Sequence, residues 1–240
     1  MNAAPPLLDV DVTHAVYGTA QVLRAVKFSM GRERLAIVGR NGAGKTTLCQ
    51  AITGLHRNTR GSIRFEGRDI LGLRPRQIGR TGVGYVPQGR RVFNSLNVEE
   101  HFAMQGRRTS PEWPMERLFE IFPALKPRRS SLAKNLSGGE QQMLAIARAV
   151  SVGPRLLIMD EPSEGLAPVI IDSLVEACDS LIAASSMGIL VVEQNLNVAV
   201  RLSGRVLVMD RGEIAADMPT NEFAARPDLQ EAYLGVSRSA

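Results

Sequence analysis

The sequence predicts an α/β fold with a mainly parallel core sheet, an antiparallel β portion beside it and a helical subdomain inserted between two of the parallel strands. Three observations predict it. The apolar run Leu35 to Val38 ends at Gly39 and opens into a glycine-rich loop closed by Lys45 and Thr46. The runs Leu156 to Met159 and Ile189 to Val192 are continuously apolar, as strands buried on both faces must be. Between Val98 and Ser151 the pattern turns helical and shows no convincing strand.

Taken in order, Leu7 to Val12 and Gln21 to Phe28 partly alternate apolar and polar residues, the pattern of antiparallel strands with one wet face. Tyr17 and Gly18 fall in the turn between them, and Ser62 to Phe65, bracketed by Gly61 and Gly67, reads as another strand of this portion. A helix from Thr46 to Leu55 follows the glycine loop and ends near Gly54, a natural C-cap. In VGYVPQG, Val83 to Gly89, a buried strand is broken by Pro87 and leaves Gln88 at its carboxyl end. Side chains placed there face the ligand crevice of an open α/β sheet.

The helical region is interrupted by a polar, proline-containing loop, Gly106 to Pro114. Met143, Ile146, Ala147 and Val150 recur at i, i+3, i+4 and i+7, giving one buried face to a helix that begins near Gly138. Leu156 to Met159 is followed at once by Asp160 and Glu161, so a central strand delivers two acids at its tip. A helix from Pro168 to about Ala184, a strand Ile189 to Val192, a helix Leu196 to Leu202 and strands Val206 to Met209 and Glu213 to Ala216 complete the alternation. Ser237 to Ala240 reads as a loose tail.

A chain of 240 residues can bury a core that needs no staples, and its 44% hydrophobic and 22% charged residues are those of an ordinary globular protein. Cys49 and Cys178 have no paired spacing, so they imply neither a disulfide framework nor a metal site and read as small buried residues. The net charge of +5 would suit nucleic acid or an anionic membrane surface, but the basic residues are scattered. The short clusters Arg74–Arg76–Arg80, Arg90–Arg91 and Arg128–Arg129 read as solvated surface. No run approaches the roughly 18 apolar residues that span a bilayer, and Met1 to Leu8 lacks the basic start and apolar stretch of a signal peptide. The expected location is the cytoplasm.

The pattern G-x-x-x-x-G-K-[ST] is met by Gly39, Gly44, Lys45 and Thr46, with Gly42 between. Glycines let the backbone wrap an anion so that successive N–H groups point inward, and the following helix adds its positive end. Lys45 is expected to reach the β- and γ-phosphates of a nucleotide and Thr46 to sit on Mg²⁺.

The phosphate loop, the Gln88 loop, LSGGE at Leu136 to Glu140 and LLIMDE at Leu156 to Glu161 occur in the order of an ATP-binding cassette. From Tyr17 to about Gly212 the chain closely resembles the ATPase subunit of an ABC transporter, and LSGGE sets it apart from other phosphate-loop proteins. The resemblance implies a single ABC ATPase domain over 1–240. Residues 1–88 and 153–217 would be the nucleotide-binding core with its antiparallel β portion, 89–152 the helical subdomain with the signature loop, and 218–240 a C-terminal helical tail. It implies ATP held by Tyr17, on which the adenine stacks, and by Gly39, Arg40, Asn41, Gly42, Ala43, Gly44, Lys45, Thr46 and Thr47. Mg²⁺ would be held by Thr46, Gln88 and Asp160, and Glu161 would orient or deprotonate the attacking water, with Gln88 and Gln194 beside it. Ser137, Gly138, Gly139 and Glu140 look like the signature loop that meets ATP held by a partner cassette, so that two cassettes pair head to tail. Gln88 would link the γ-phosphate to the helical subdomain, whose exposed surface would grip a cytoplasmic helix of a membrane subunit.

Two positions depart from the common cassette pattern. Gln194 stands where most cassettes place a histidine; its amide donates a hydrogen bond but carries no positive charge. Ala167 stands in place of an aspartate that usually communicates between sites. With YGTAQVL at Tyr17 to Leu23, YVPQGRRVF at Tyr85 to Phe93 and VVEQN at Val191 to Asn195, these features are similar to the smaller ATP-binding subunit of bacterial branched-chain amino acid uptake systems. They are nearly as similar to its counterpart in urea and short-amide uptake. That likeness implies a second ATPase subunit, two transmembrane permease subunits and a periplasmic binding protein as partners, and a peripheral position on the cytoplasmic face of the inner membrane. A cassette acting on DNA or ribosomes is the reading the basic charge invites. Against it, the stretch from Gln88 to Ser137 has no long heptad repeat and the chain carries one cassette rather than two. An exporter ATPase or lipid flippase component is a third reading, by analogy of fold.

Overall fold

The computed structural model describes residues 5–106 and 109–234. Among them two sheets pack with helices around them. In the larger sheet β10 (Arg205–Asp210), β4 (Arg34–Val38), β9 (Gly188–Glu193), β8 (Leu156–Asp160) and β7 (Val83–Val86) lie parallel in that order. β11 (Glu213–Pro219) closes one edge antiparallel to β10. The second sheet is antiparallel and built on β1 (Leu8–Tyr17), which pairs β5 (Thr59–Phe65) along one edge and β2 (Ala20–Leu23) and β3 (Val26–Met30) along the other. β6 (Arg68–Asp69) extends it beyond β5.

Side chains alternate along a strand, so each parallel strand feeds two layers. Leu35, Ile37, Leu156, Ile158, Leu190 and Val192 pack with the antiparallel sheet and α1 (Lys45–Ile52) into one core. Leu157, Met159, Ile189 and Val191 face the opposite way. They meet α6 (Pro168–Ala184) and the helices inserted between β7 and β8, namely α3 (Val98–Ala103), α4 (Met115–Ile121) and α5 (Gly138–Val150). The inserted helices thus share one apolar core with the sheet. A third cluster sets Ala36, Val38, Val206 and Val208 against α7 (Leu196–Leu202) and α8 (Thr220–Ala224). Both cysteines are buried and free, as expected, and burial pushes the Cys178 thiol up to about 12.

Several expectations are corrected. Tyr17 closes β1 rather than lying in the turn, which is Gly18–Thr19. Gln21 to Phe28 is two strands, because β2 pairs with Ala15–Tyr17 and β3 with Leu8–Val12 on one edge of β1, so the chain must break between them. α1 stops at Ile52, short of Leu55, although Gly54 takes the positive φ of 73° expected there. α2 (Pro75–Arg80) has no sequence counterpart because it buries only Ile78 and so shows no period.

The loop Gly106 to Pro114 is polar at its described ends but carries Trp113, 1% exposed, into the core beside Leu118 and Phe119, with the Arg117 guanidinium 4.5 Å above its ring. Arg107 and Arg108 lie outside the described residues. The C-terminal tail begins two residues later than 218, since Met218 and Pro219 belong to β11; α8 and α9 (Pro227–Leu234) follow. Ser237 to Ala240 lie outside the described residues.

Candidate active site

The carboxyl ends of β4, β7, β8 and β9 open on one side of the sheet, which brings the loops that follow them together. After β4 the chain turns through Gly39 to Gly44, where Gly44 holds a φ of 107°. A side chain would be strained at that angle, and its Cβ would press on Leu23. α1 then begins at Lys45.

The Lys45 side chain doubles back over the loop. Its ammonium donates to the carbonyls of Gly39 at 2.9 Å and Arg40 at 3.3 Å and lies 3.4 Å from Glu161 Oε1. With only 4% of the lysine side chain exposed, water screens the pair little. The Thr46 hydroxyl donates to Asp160 Oδ1 at 3.2 Å, and the Tyr85 hydroxyl donates to Asp160 Oδ2 at the same distance. Burial raises the Asp160 pKa, against the opposing hydrogen bonds from Thr46 and Tyr85 and the charge of Lys45.

Glu161 stands at the tip of β8 in the left-handed region, φ 48°, a conformation a non-glycine residue holds only where its surroundings fix it. Here its N–H donates to the Val192 carbonyl at 2.8 Å. The Gln88 amide donates to Glu161 Oε2 at 3.2 Å and to Glu164 Oε2 at 3.0 Å. The carboxylate of Glu161 is therefore held between an ammonium and an amide.

These groups enclose a cleft of about 470 Å³. Asn41, Gly42, Gly44, Lys45, Thr46 and Thr47 form one side of it, and Gln88, Glu161, Glu164 and Gln194 the other. Within it a cation beside two carboxylates, two hydroxyls and three amides can hold a phosphate chain and orient a water for in-line attack. Arg40, Ala43 and Asp160 adjoin the cleft through the bonds and turns just given without lining it. Behind Gln194, Glu193 is 2% exposed and accepts a hydrogen bond from the Ser163 N–H at 3.0 Å; burial raises its pKa.

Two groups of expected site residues lie elsewhere. Tyr17 is half exposed, donates its hydroxyl to Gln50 Oε1 at 2.9 Å and sets its ring edge against His56 at 4.6 Å, outside the cleft lining. Ser137 caps the N-terminus of α5 and Gly138, Gly139 and Glu140 form its first turn, where Ser137 and Glu140 cap each other's backbone N–H at 3.2 and 2.7 Å. None of these four lines the phosphate cleft. Sequence reasoning missed Tyr85, Glu164 and Glu193. Tyr85 sits in the strand whose tip bears Gln88, but its bond to Asp160 spans 75 residues and leaves no local mark in the sequence. Among the described residues no helix is long and apolar enough to cross a membrane.

A family model described as "ABC transporter" matches residues 23–164. The chain is 40% identical over 233 residues to the high-affinity branched-chain amino acid transport ATP-binding protein BraG of Pseudomonas aeruginosa, across 95% of this chain and 100% of that protein. It is 31% identical to the probable branched-chain amino acid transport ATP-binding protein LivF of Archaeoglobus fulgidus, across 90% and 99% of the two chains. A solved structure of the ATP binding subunit of an ABC transporter superposes with a TM-score of 0.79 at 30% identity, covering 95% of this chain and 96% of that one. The match extends through the phosphate loop, the Gln88 loop, the signature turn and the acid pair, and the chain belongs to the ABC transporter family as an ATP-binding, ATP-hydrolysing cassette.

Proposed function

We propose that this chain energises uptake of branched-chain or other amino acids as the ATPase subunit of an importer on the cytoplasmic face of the inner membrane. The single observation that carries its chemistry is the placement of Glu161 between Lys45 and Gln88 at the tip of β8, beside the phosphate loop. The full-length likeness to a branched-chain amino acid transport ATP-binding protein supports the transport role.

In this reading the loop Gly39 to Thr47 wraps the phosphates of ATP, with Lys45 against the β- and γ-phosphates. Tyr17 stacks on the adenine. Thr46 Oγ1 and Asp160 Oδ1, 3.2 Å apart, offer the hard oxygen donors that Mg²⁺ takes, with Gln88 beside them. When bound, Mg²⁺ would neutralise charge on the transferring phosphate. Glu161 accepts a proton from the attacking water, and Gln88 and Gln194 orient that water by hydrogen bonds. Ser137, Gly138, Gly139 and Glu140 present the first turn of α5 to ATP held by a second cassette, so that ATP joins the two cassettes and its hydrolysis parts them. The exposed surface of residues 89–152 grips a cytoplasmic helix of a membrane subunit, in a complex with two permease subunits that a periplasmic binding protein supplies.

The test is to tag the chain in its own cell, extract membranes in mild detergent and identify what copurifies by mass spectrometry. Two membrane-spanning chains with a second cassette subunit support the importer, and the associated binding protein, screened against leucine, other amino acids and urea, separates amino acid from amide uptake. Recovery with ribosomes or DNA and no membrane chain would overturn it.

A further inference from the structure

Arg90 has no part in the reading above, yet it joins three of its loops. It lies two residues after Gln88 and is one of four described non-glycine residues with positive φ, at 49°; Glu161 is another. From that backbone turn its side chain reaches the loop after Glu161. There Arg90 Nη2 donates to two successive carbonyls, Glu164 at 2.9 Å and Gly165 at 2.8 Å.

The same guanidinium lies against the signature turn. A Cβ on Gly138 would overlap Arg90 Nη1, and one on Gly165 would come within 2.9 Å of Nη2. Both glycines therefore leave the space the guanidinium fills. A second cleft, of about 760 Å³, runs between these segments and is lined by Arg90, Gln141, Gln142, Glu161, Glu164 and Gly165 among others. One short loop thus grips the segment Glu161–Gly165 twice. Gln88 holds the side chains of Glu161 and Glu164, and Arg90 holds the backbone of Glu164 and Gly165.

We propose that Arg90 is a positioning residue for ATP hydrolysis: its guanidinium braces the Gln88 loop, the loop after Glu161 and the signature turn at Gly138 as one unit. The proposal rests on the roles given above to Glu161 and the signature turn. A planar guanidinium suits the task because it carries five donors in a fixed fork and keeps its charge at all working pH values, whereas an ammonium is a point donor. Loss of the brace leaves the phosphate loop intact, since no bond from Arg90 reaches Gly39 to Thr47 among the described residues. ATP affinity is then preserved while the placement of Glu161 and the meeting of two cassettes both suffer.

The test uses the assembled complex recovered with the tagged chain, with that chain carrying R90A, R90K or R90Q, each also in the E161Q background. Three quantities are read: the ATP dissociation constant, the steady-state kcat and KM of the variants that keep Glu161, and ATP-dependent pairing of the E161Q chain with the second cassette subunit, by cross-linking within the complex. For R90A the expected result is a kcat about ten-fold lower, the scale of about 1.4 kcal/mol, with ATP affinity within about two-fold of the parent and weaker ATP-dependent association. R90K restores part of the rate by supplying one of the donors, and R90Q restores less. Unchanged kcat and association in R90A would overturn the brace. So would a fall in ATP affinity and melting temperature that accounts for the whole loss of rate, because that marks a role in folding alone. If the complex with Arg90 intact does not hydrolyse ATP and its E161Q form shows no ATP-dependent pairing of cassettes, the failure lies with the roles of Glu161 and the signature turn.

Discussion

Lys45 Nζ and Glu161 Oε1 stand 3.4 Å apart, a cation of the phosphate loop paired with the acid at the tip of a strand two places away in the sheet. The pair is largely shielded from water, and the lysine is fixed further by the carbonyls of Gly39 and Arg40. One ammonium therefore sets both the phosphate cradle and the position of the acid.

Replacing Lys45 by alanine removes the one side-chain cation that lines the cleft among the described residues. Truncating a buried charge that pairs with a charged ligand costs about 2–5 kcal/mol. Isothermal titration is expected to show ATP binding at least about 30-fold weaker in K45A, while circular dichroism reports the same fold. Unaltered affinity would remove Lys45 from the phosphate site.

Glu193 gives a pH signature of folding. Burial raises its pKa, so its stabilising contribution is full below the ordinary glutamate range, about pH 4, and is lost as pH rises through the raised value. Glutamine keeps the oxygen that accepts from the Ser163 N–H but does not titrate. The melting temperature of E193Q minus that of the parent is therefore expected to increase as pH rises above about 4 and then to level off. A difference that is flat or falls with pH would contradict the assigned burial effect.

Gln194 lines the cleft and is exposed, in the place where most cassettes carry histidine. Histidine titrates near pH 6.5 and glutamine does not titrate at all. A Gln194→His variant is expected to gain a pH dependence of hydrolysis rate near neutrality that the parent lacks, read from steady-state rates across the range. A profile identical to the parent's would show that position 194 does not reach the reacting groups.

Trp113 is the largest fully buried side chain, and its truncation tests the core of the inserted helices. Removing a buried tryptophan costs about 3–5 kcal/mol, and each kcal/mol lowers the melting temperature of a chain this size by about 2–4 °C. W113A is expected to melt about 6–20 °C lower in a thermal scan. A change under about 2 °C would mean that the 106–114 segment does not anchor the subdomain.

Much of this architecture was legible in the sequence because each part carries a local signature. Leu35 to Val38, Leu156 to Met159 and Ile189 to Val192 are buried on both faces, so their continuous apolar runs marked the parallel strands to within a residue at each end. Pro168 opened α6 and the apolar pattern carried it to Ala184, the observed span. The glycine-rich loop and the acid pair were legible because each is a short contiguous string at the end of an apolar strand, and the structure brings them together.

What escaped depends on contacts between segments far apart in the chain. The break between β2 and β3 follows from their sharing one edge of β1, which the sequence of either strand does not encode. Trp113 lay hidden in a polar stretch because its burial comes from α4 and the rest of the inserted helices. Tyr85 on Asp160, Glu193 on Ser163 and Arg90 on Glu164 are bonds spanning 75, 30 and 74 residues, beyond any local pattern.

The most direct test of the account is the rate of ATP hydrolysis by the E161Q chain in its assembled complex, measured beside its ATP affinity. A positioned general base contributes about 100-fold to 10,000-fold. The account predicts a loss of at least about 100-fold in rate with ATP bound as tightly as before, and a longer-lived pair of cassettes. Hydrolysis by E161Q at the parent rate would contradict it, and the base would have to be sought elsewhere in the cleft.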